Sequence, residues 1–316
     1  MLKKLFATVL MSFSAVAFAL PFGSESVLVV EDDTGKILLE KNASAVMPIA
    51  SLTKLMTAMV VLDARQDMDE LIEIDRSDVD TFKHSSSRVP VGSLISRRDV
   101  MQLALMSSDN RAAAALARTF PGGTPGFKAA VRRKISALGM TQTVIEEPTG
   151  LSPRNQSTAG DLIKMAAASS RYPVITNMTT ESKDLINISG REVEYRNTNR
   201  LVGAKGWDIG LSKTGYIQEA GRCLIMNIKA NGTNATMVLL NAGASSARIL
   251  DALNIRRFMS GEPVSRMVSK AAGRAPRIKA SSKAARIKAS AGKSKVKAAK
   301  KRVVRKAKVT PKRRKK

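Results

Sequence analysis

The distribution of charge along the chain limits which part of it can fold into a packed domain. Residues 263–316 contain 22 Lys or Arg and no Asp or Glu. Self-repulsion and scarce apolar surface favour disorder in such a segment, so we expect a disordered Lys/Arg/Ala-rich tail. The remaining residues carry 31 basic and 26 acidic side chains, a net charge of +5. The sequence therefore predicts a nearly neutral globular region followed by a polycation.

The N-terminus has the parts of a secretory signal peptide. Two lysines precede an apolar run over 5–16, and residues 17–19 read Ala-Phe-Ala, a small-x-small cleavage site. The apolar run is shorter than the roughly 20 residues that a membrane-spanning helix needs. We therefore expect residues 1–19 to be a cleaved signal peptide and the protein to be exported.

Residue types that commonly form disulfides and metal sites are almost absent. Cys223 is the single cysteine and His84 the single histidine, so no intrachain disulfide can form and no metal site is predicted. Cys223 lies in the apolar run CLIMNI, which favours a buried strand residue over a nucleophile. His84 lies in the polar segment KHSSSR, which favours a solvated loop residue over a member of a Ser-His-Asp triad.

The order of predicted elements indicates an α+β fold over residues 20–262. Two strands, SVLVVEDD and KILLEKN, precede a mostly helical middle, and three C-terminal strands precede a final helix. A short hairpin is predicted near residues 184–197. We expect an antiparallel sheet in which the first and last strands are adjacent, with helices in the middle of the chain and on one face of the sheet.

The segment IASLTKLMTA, residues 49–58, predicts a buried helix that nevertheless carries a hydroxyl and an ammonium on one face. Burial would lower the pKa of Lys54 below the usual value of about 10.4. A neutral Lys54 could then remove the proton from Ser51 and make it a nucleophile. Alone this pattern is weak, because roughly one or two Ser-x-x-Lys matches arise by chance in a chain of this length. A buried serine beside a snorkelling lysine is the structural alternative.

Two further triplets accompany the Ser-x-x-Lys segment in the expected order. Residues 108–110 read Ser-Asp-Asn between two predicted helices, and residues 213–215 read Lys-Thr-Gly within a predicted strand that continues to Tyr216. This trio is typical of penicillin-binding proteins and class A β-lactamases. The ordered set therefore predicts a nucleophilic-serine site.

Around these motifs the sequence resembles the low-molecular-mass penicillin-binding proteins, which are serine peptidases of the D-Ala-D-Ala carboxypeptidase family. Within that family it resembles the D-alanyl-D-alanine endopeptidases. The resemblance spans about residues 25–260 and is carried by PIASLTKLMTAMVVLDAR, LALMSSDNRAAAALA, EPTGLSPRNQSTAGDL, and RNTNRLVG followed by SKTGY. It implies a β-lactamase/transpeptidase-like fold, an antiparallel sheet flanked by a mostly helical subdomain, with no cofactor.

The resemblance also implies a role for each motif residue. Ser51 is expected to be the nucleophile, Lys54 its general base, and Ser108 a relay of a proton to the leaving amine. The expected substrate-binding residues are Asn110, Lys213, Thr214 and Gly215, and the backbone N–H groups of Ser51 and Tyr216 are expected to form the oxyanion hole.

The implied activity is hydrolysis of D-alanyl-diaminopimelate cross-links of peptidoglycan in the periplasm, through an acyl-enzyme on Ser51. Muropeptides would be the substrates and β-lactam antibiotics the inhibitors. Two other activities remain open: a carboxypeptidase that removes a terminal D-alanine, and a β-lactamase. A β-lactamase needs a deacylating glutamate, for which Glu146 and Glu147 are the candidates, although a loop carboxylate is the favoured interpretation of both.

The basic tail raises a non-enzymatic alternative. A polycation usually indicates a nucleic-acid partner, so a nucleic-acid-binding or envelope-binding protein is the competing function. No nucleic-acid partner is expected in the periplasm, where the available anions are lipid phosphates, lipopolysaccharide and peptidoglycan carboxylates. Two predictions for the tail stay open: peripheral association with the envelope by screened electrostatics, or a dispensable solubilising extension.

Overall fold

A computed structural model describes residues 22–264 of the chain. The predicted signal peptide over 1–19 and nearly all of the predicted tail over 263–316 lie outside the described residues. The described strands are β1 (Ser26–Glu31), β2 (Ile37–Lys41), β3 (Met47–Pro48), β4 (Leu71–Glu73), β5 (Leu94–Ser96), β6 (Gln156–Ser157), β7 (Lys183–Ile188), β8 (Arg191–Arg196), β9 (Asp208–Ile217), β10 (Gly221–Ala230) and β11 (Thr233–Ala242). The α-helices are α1 (Thr53–Asp63), α2 (Arg97–Leu105), α3 (Asn110–Arg118), α4 (Gly123–Ala137), α5 (Ala159–Ser169), α6 (Pro173–Thr180) and α7 (Ser245–Met259). The predicted α+β class is confirmed.

The main sheet joins the two ends of the folded region. Its strand order is β2-β1-β11-β10-β9, and each neighbouring pair is antiparallel. Ser26 lies opposite Leu240, which confirms that the first and last strands are adjacent. Strand β9 is an edge strand, so one side of its backbone is not paired within the sheet.

Smaller strand pairs lie outside the main sheet. The predicted hairpin is present as β7 and β8, with Lys183 opposite Arg196. The pairs β3–β6 and β4–β5 were not predicted, because two- or three-residue strands carry too little periodicity to be recognised. The eight-residue helix α6 was not predicted either.

Helix α1 lies at the centre of the larger hydrophobic core. Every residue from Thr53 to Val61 is buried, which is the pattern of a helix enclosed on all sides. Its neighbours are helices α2 to α6. A side chain on α1 is therefore buried because of its position in the fold, and Lys54 is one of these side chains.

Both faces of the main sheet are covered by helices. On one face, alternate residues such as Leu28 and Val238 pack in the core that contains α1 and α5. On the other face, Val27 and Met237 pack in a second core with Ile255 of α7. The prediction of helices on one face was therefore wrong. Successive side chains of these strands point to opposite faces of the sheet and are apolar on both. Each face must therefore be buried by other elements.

Among the described residues, no helix combines the length and the apolar composition needed to span a bilayer.

Candidate active site

The Ser-x-x-Lys segment occupies the entrance to α1. A 3-10 turn over Ala50–Leu52 precedes the helix, so the predicted helix start at Ser51 becomes a tighter turn. Ala50 has a φ of 48°, a left-handed conformation that costs free energy for a non-glycine residue. This turn places Ser51 above Lys54, and the Lys54 Nζ donates a hydrogen bond to Ser51 Oγ at 2.9 Å.

Three oxygen acceptors surround the Lys54 amine. Besides Ser51 Oγ, Lys54 Nζ donates to Asn110 Oδ1 at 2.7 Å and to the backbone oxygen of Thr149 at 2.6 Å. The side chain is 1% exposed. The amine is thus held against the serine by one residue from α3 and one from the loop before β6.

Burial lowers the pKa of Lys54 from 10.5 to about 8, while the carboxylates of Glu147 and Asp109 act in the opposite direction. At pH 7 about a tenth of the molecules would then carry a neutral amine there. A neutral amine that lies 2.9 Å from a serine hydroxyl is able to accept its proton.

The Ser-Asp-Asn triplet connects α2 to α3. Asp109 is the N-cap of α3, because its Oδ1 accepts from the backbone N–H of Ala112 at 3.0 Å. Ser108 has a φ of 59°. These two features direct Asn110 toward Lys54 and Ser108 toward Lys213, so the triplet contacts both lysines of the site.

The Lys-Thr-Gly triplet lies in the edge strand β9. Lys213 is 1% exposed and its Nζ donates to Ser108 Oγ at 2.8 Å and to the backbone oxygen of Thr214 at 3.1 Å. Burial lowers the pKa of Lys213 well below 10.5, and the positive charges of Lys54 and Arg248 lower it further.

Gly215 brings the edge strand against the serine. A Cβ atom at this position would lie 3.1 Å from the backbone nitrogen of Ser51, which is closer than about nine in ten real Cβ contacts. A glycine therefore permits this approach without displacing either backbone. Next to it, the hydroxyls of Thr214 and Thr198 form a hydrogen bond of 2.6 Å.

A loop between α4 and β6 supports Lys54 from the other side. The Glu147 carboxylate accepts from the backbone N–H groups of Thr149 at 2.8 Å and Gly150 at 2.7 Å, and from Asn155 Nδ2 at 2.9 Å. Gly150 has a φ of 85°, and a Cβ there would lie 1.9 Å from the backbone oxygen of Ala50. The conformation of this loop therefore depends on the carboxylate of Glu147 and on a glycine at position 150.

The structure brings all the predicted motif residues to one site: Ser51, Lys54, Ser108, Asn110, Lys213, Thr214 and Gly215. The Tyr216 side chain is 51% exposed, with the Arg222 guanidinium 3.4 Å from its ring centre. His84 is exposed in a loop and Cys223 is buried in β10, as predicted. Within residues 22–264, no group of three His, Cys, Asp or Glu is placed to hold a metal ion.

Three contributors were missed by sequence reasoning. The Thr149 carbonyl holds Lys54, Thr198 holds Thr214, and Ser85 accepts a hydrogen bond from Asn110. Thr149 and Thr198 lie within the segments EPTGLSPRNQSTAGDL and RNTNRLVG, which already resemble the family. Ser85 lies in KHSSSR, where no pattern distinguishes it from its neighbours.

Comparison with known proteins places this geometry in a family. The model of the Peptidase_S11 family, D-alanyl-D-alanine carboxypeptidase, matches residues 15–244. A solved structure of penicillin-binding protein D2 from Listeria monocytogenes, in its ampicillin-bound form, is 28% identical, has a TM-score of 0.66, and covers 76% of this chain and 98% of its own. The DD-transpeptidase of Streptomyces K15 is 23% identical with a TM-score of 0.70 over the same shares, which shows a common fold.

Curated relatives narrow the activity. A D-alanyl-D-alanine endopeptidase of Pseudomonas aeruginosa is 43% identical over 81% of this chain and 83% of its own length. One from Escherichia coli is also 43% identical, over 75% of this chain and 77% of its own. The chain thus belongs to the D-alanyl-D-alanine carboxypeptidase family, as a serine-type D-Ala-D-Ala endopeptidase/carboxypeptidase, a hydrolase of peptidoglycan metabolism.

Proposed function

We propose that this protein is an exported endopeptidase that hydrolyses D-alanyl-diaminopimelate cross-links in peptidoglycan through an acyl-enzyme on Ser51. One observation carries the serine chemistry: a fully buried lysine, whose pKa is lowered to about 8, donates to Ser51 Oγ at 2.9 Å. The choice of cross-links rests on the two relatives at 43% identity, both of which are named endopeptidases.

In the proposed acylation step, neutral Lys54 accepts the Ser51 hydroxyl proton while Ser51 Oγ attacks the D-alanyl carbonyl carbon. The carbonyl oxygen becomes an oxyanion, for which the backbone N–H groups of Ser51 and Tyr216 are the proposed donors. A donor of this kind contributes about 2.7–4 kcal/mol in other hydrolases. As the oxyanion collapses, the bond between the carbonyl carbon and the leaving nitrogen breaks, and the proton taken from Ser51 passes through the Ser108 hydroxyl to that nitrogen, which leaves Lys54 neutral again. Ser108 is the proposed relay because its Oγ lies in the site, 2.8 Å from Lys213 Nζ.

In the deacylation step, water replaces the leaving amine. Lys54 accepts a proton from the attacking water, the ester bond to Ser51 breaks, and Ser51 Oγ regains a proton. The products are a free D-alanyl carboxylate and the amine that left in the first step. The net reaction is hydrolysis of one amide bond by one water molecule.

The other motif residues are proposed to bind the substrate. Asn110 would donate to a substrate carbonyl through its Nδ2, since its Oδ1 accepts from Lys54. Thr214 would bind a substrate carboxylate, and Gly215 would allow the substrate to lie along β9. The pKa of Lys213 is lowered by burial and by nearby cations, so an arriving carboxylate would favour its protonated form and be attracted by it.

A carboxypeptidase is the alternative function. It uses the same serine chemistry with a terminal D-alanine as the leaving amine, and the more distant relatives, such as one from Bacillus subtilis at 28% identity, are named carboxypeptidases. A β-lactamase is disfavoured because the Glu147 carboxylate is engaged by the backbone of its own loop, and Glu146 pairs with Arg154 at 2.6 Å. β-Lactam antibiotics are proposed to acylate Ser51 as inhibitors.

The predicted signal peptide and the basic composition of residues 263–316 support a periplasmic enzyme with a tail that associates with anionic envelope components. Cosedimentation of the intact protein and a tail-deleted variant with purified cell-wall sacculi, at low and high salt, tests this. We expect salt-sensitive pelleting of the intact protein alone. Equal pelleting of both proteins would contradict the role of the tail.

The activity itself is tested with a purified cross-linked muropeptide dimer. We expect mass spectrometry to detect conversion to two monomers by the mature enzyme and no conversion by Ser51→Ala. An intact dimer together with loss of the terminal alanine from a pentapeptide would favour the carboxypeptidase. Conversion of the dimer by Ser51→Ala would contradict the role of the serine.

A further inference from the structure

A surface loop outside the three motifs contacts two sides of the active site, the Ser-Asp-Asn triplet and the turn after β9. This loop, residues 79–89, contains the sequence KHSSSR and is called the bridging loop below. One part of it contacts the Ser-Asp-Asn triplet, through Ser85 and Ser87. Another part contacts the turn after β9, through an ion pair between Lys83 and Glu219.

Ser85 is positioned by its own backbone. Its N–H donates to Asp80 Oδ2 at 2.8 Å, while Asp80 Oδ1 accepts from the N–H groups of Phe82 at 2.8 Å and Lys83 at 3.0 Å. One carboxylate thus closes a tight turn over residues 80–85. The Ser85 hydroxyl therefore has a defined position, although it lies in an irregular segment.

The Ser85 hydroxyl contacts the amide of Asn110. Asn110 Nδ2 donates to Ser85 Oγ at 2.9 Å, while Asn110 Oδ1 accepts from Lys54 Nζ at 2.7 Å. Two residues later, Ser87 Oγ donates to Asp109 Oδ2 at 2.7 Å. Alternate serines of the loop thus bind consecutive residues of the triplet, whereas Ser86 between them is exposed.

We infer that Ser85 is a positioning residue for the reaction proposed above, acting through Asn110. The amide of Asn110 has two ends, and Ser85 holds one while Lys54 holds the other. With Ser85 in place, one N–H of the amide remains for a substrate carbonyl, and the amide oxygen stays on the Lys54 amine. Without Ser85, one end of the amide is no longer held. The amide can then rotate so that its oxygen moves away from Lys54 Nζ and its N–H moves away from the substrate carbonyl. This inference rests on the proposed function, because it concerns the same Ser51 chemistry.

The experiment compares two neighbouring serines in the full-length mature protein. The second-order rate constant for acylation by a fluorescent penicillin is measured for the wild type, Ser85→Ala and Ser86→Ala. Loss of one positioning hydrogen bond predicts a roughly 5- to 10-fold slower acylation of Ser85→Ala. Ser86→Ala is expected to match the wild type, and Ser85→Thr, which keeps a hydroxyl, is expected to recover most of the rate.

A pH profile separates positioning from a general loss of structure. Without Ser85 the Asn110 oxygen would leave the Lys54 ammonium, so the midpoint of the acylation profile should move to lower pH. A mere decrease in folded protein would scale the rate and leave the midpoint unchanged. Equal rates for Ser85→Ala and the wild type, an equal loss in Ser86→Ala, or an unmoved midpoint would overturn the inference. Failure of the wild type to be acylated would instead contradict the proposed function.

Discussion

Two lysines of the active site have nearly the same burial but different surroundings. Lys54 and Lys213 are each 1% exposed, and each amine donates to a serine hydroxyl, at 2.9 Å and 2.8 Å. Lys54 belongs to the helical side of the site and Lys213 to its strand side. Burial lowers the pKa of both amines.

The two lysines differ in the charges that act on the pKa of each amine. The carboxylates of Glu147 and Asp109 oppose the effect of burial on Lys54, and its pKa stays at about 8. On the strand side no carboxylate of the described residues opposes burial, and the positive charges of Lys54 and Arg248 act with burial to lower the pKa of Lys213. Burial alone therefore does not assign a role to a lysine. The helical side suits a base that exchanges protons near neutral pH. The strand side has an excess of cationic groups, so it suits the binding of an anion, which in turn favours the protonated form of Lys213.

The largest expected effect is on the acylation rate when each lysine is replaced by arginine. Arginine stays protonated and cannot act as a base, so Lys54→Arg should slow acylation about 1000-fold, within the range for loss of acid–base catalysis. Lys213→Arg keeps a cation for a substrate carboxylate and should lose only about 10-fold. Acylation kinetics with a fluorescent penicillin measure both. Equal losses in the two variants would break the distinction between the lysines.

The next effect concerns stability and pH. The folded protein releases the Lys54 proton near pH 8, while the unfolded chain keeps it to about pH 10.5, so the free energy of unfolding should rise between these values. The gain from this one group is about 3 kcal/mol. Urea unfolding across that window should therefore show a steeper rise for the wild type than for Lys54→Met. Parallel curves would contradict the lowered pKa.

A smaller effect is expected from the Glu147 carboxylate. In Glu147→Gln the charge that raises the pKa of Lys54 is lost, so the midpoint of acylation should move below pH 8. Weaker hydrogen bonds from the Thr149 and Gly150 N–H groups should also lower the free energy of unfolding by about 1–2 kcal/mol. Glu146→Gln, at an exposed ion pair, is the matched control and should change neither quantity. A shift in the control alone would show that Glu147 does not act on Lys54.

The smallest effect concerns the contact between the two sides. Lys83 and Glu219 form an ion pair whose side chains are partly exposed, so solvent screens it. A double-mutant cycle with Lys83→Ala and Glu219→Ala should give a coupling free energy below about 1 kcal/mol in urea unfolding. A coupling above about 2 kcal/mol would show that this ion pair stabilises the fold despite its exposure.

Much of the fold was predictable because its determinants are local. Strands β9 to β11 and the hairpin β7–β8 have clear apolar runs and turn residues, and their predicted positions are confirmed. The packing of helices on both faces of the sheet was not predicted. The position of α7 depends on which face of the sheet remains exposed after the middle helices have packed. That information is tertiary and has no signature within the helix itself.

The candidate site was predicted in part for the same reason. Ser51, Lys54 and the two triplets belong to ordered motifs, so their meeting was expected. The carbonyl of Thr149 and the hydroxyl of Ser85 act through contacts with residues at least 25 positions away. A backbone carbonyl is present in every residue and a loop serine is common, so only three-dimensional structure distinguishes these contributors.

The central claim is that neutral Lys54 activates Ser51. The most direct measurement is the rate of acylation of the wild-type protein by a fluorescent penicillin from about pH 6 to about pH 10, with the adduct located by peptide mass spectrometry. The account predicts a rate that rises with pH, has a midpoint near the Lys54 pKa of about 8 and then levels off, with the adduct on Ser51. A rate independent of pH, or an adduct on another residue, would contradict it.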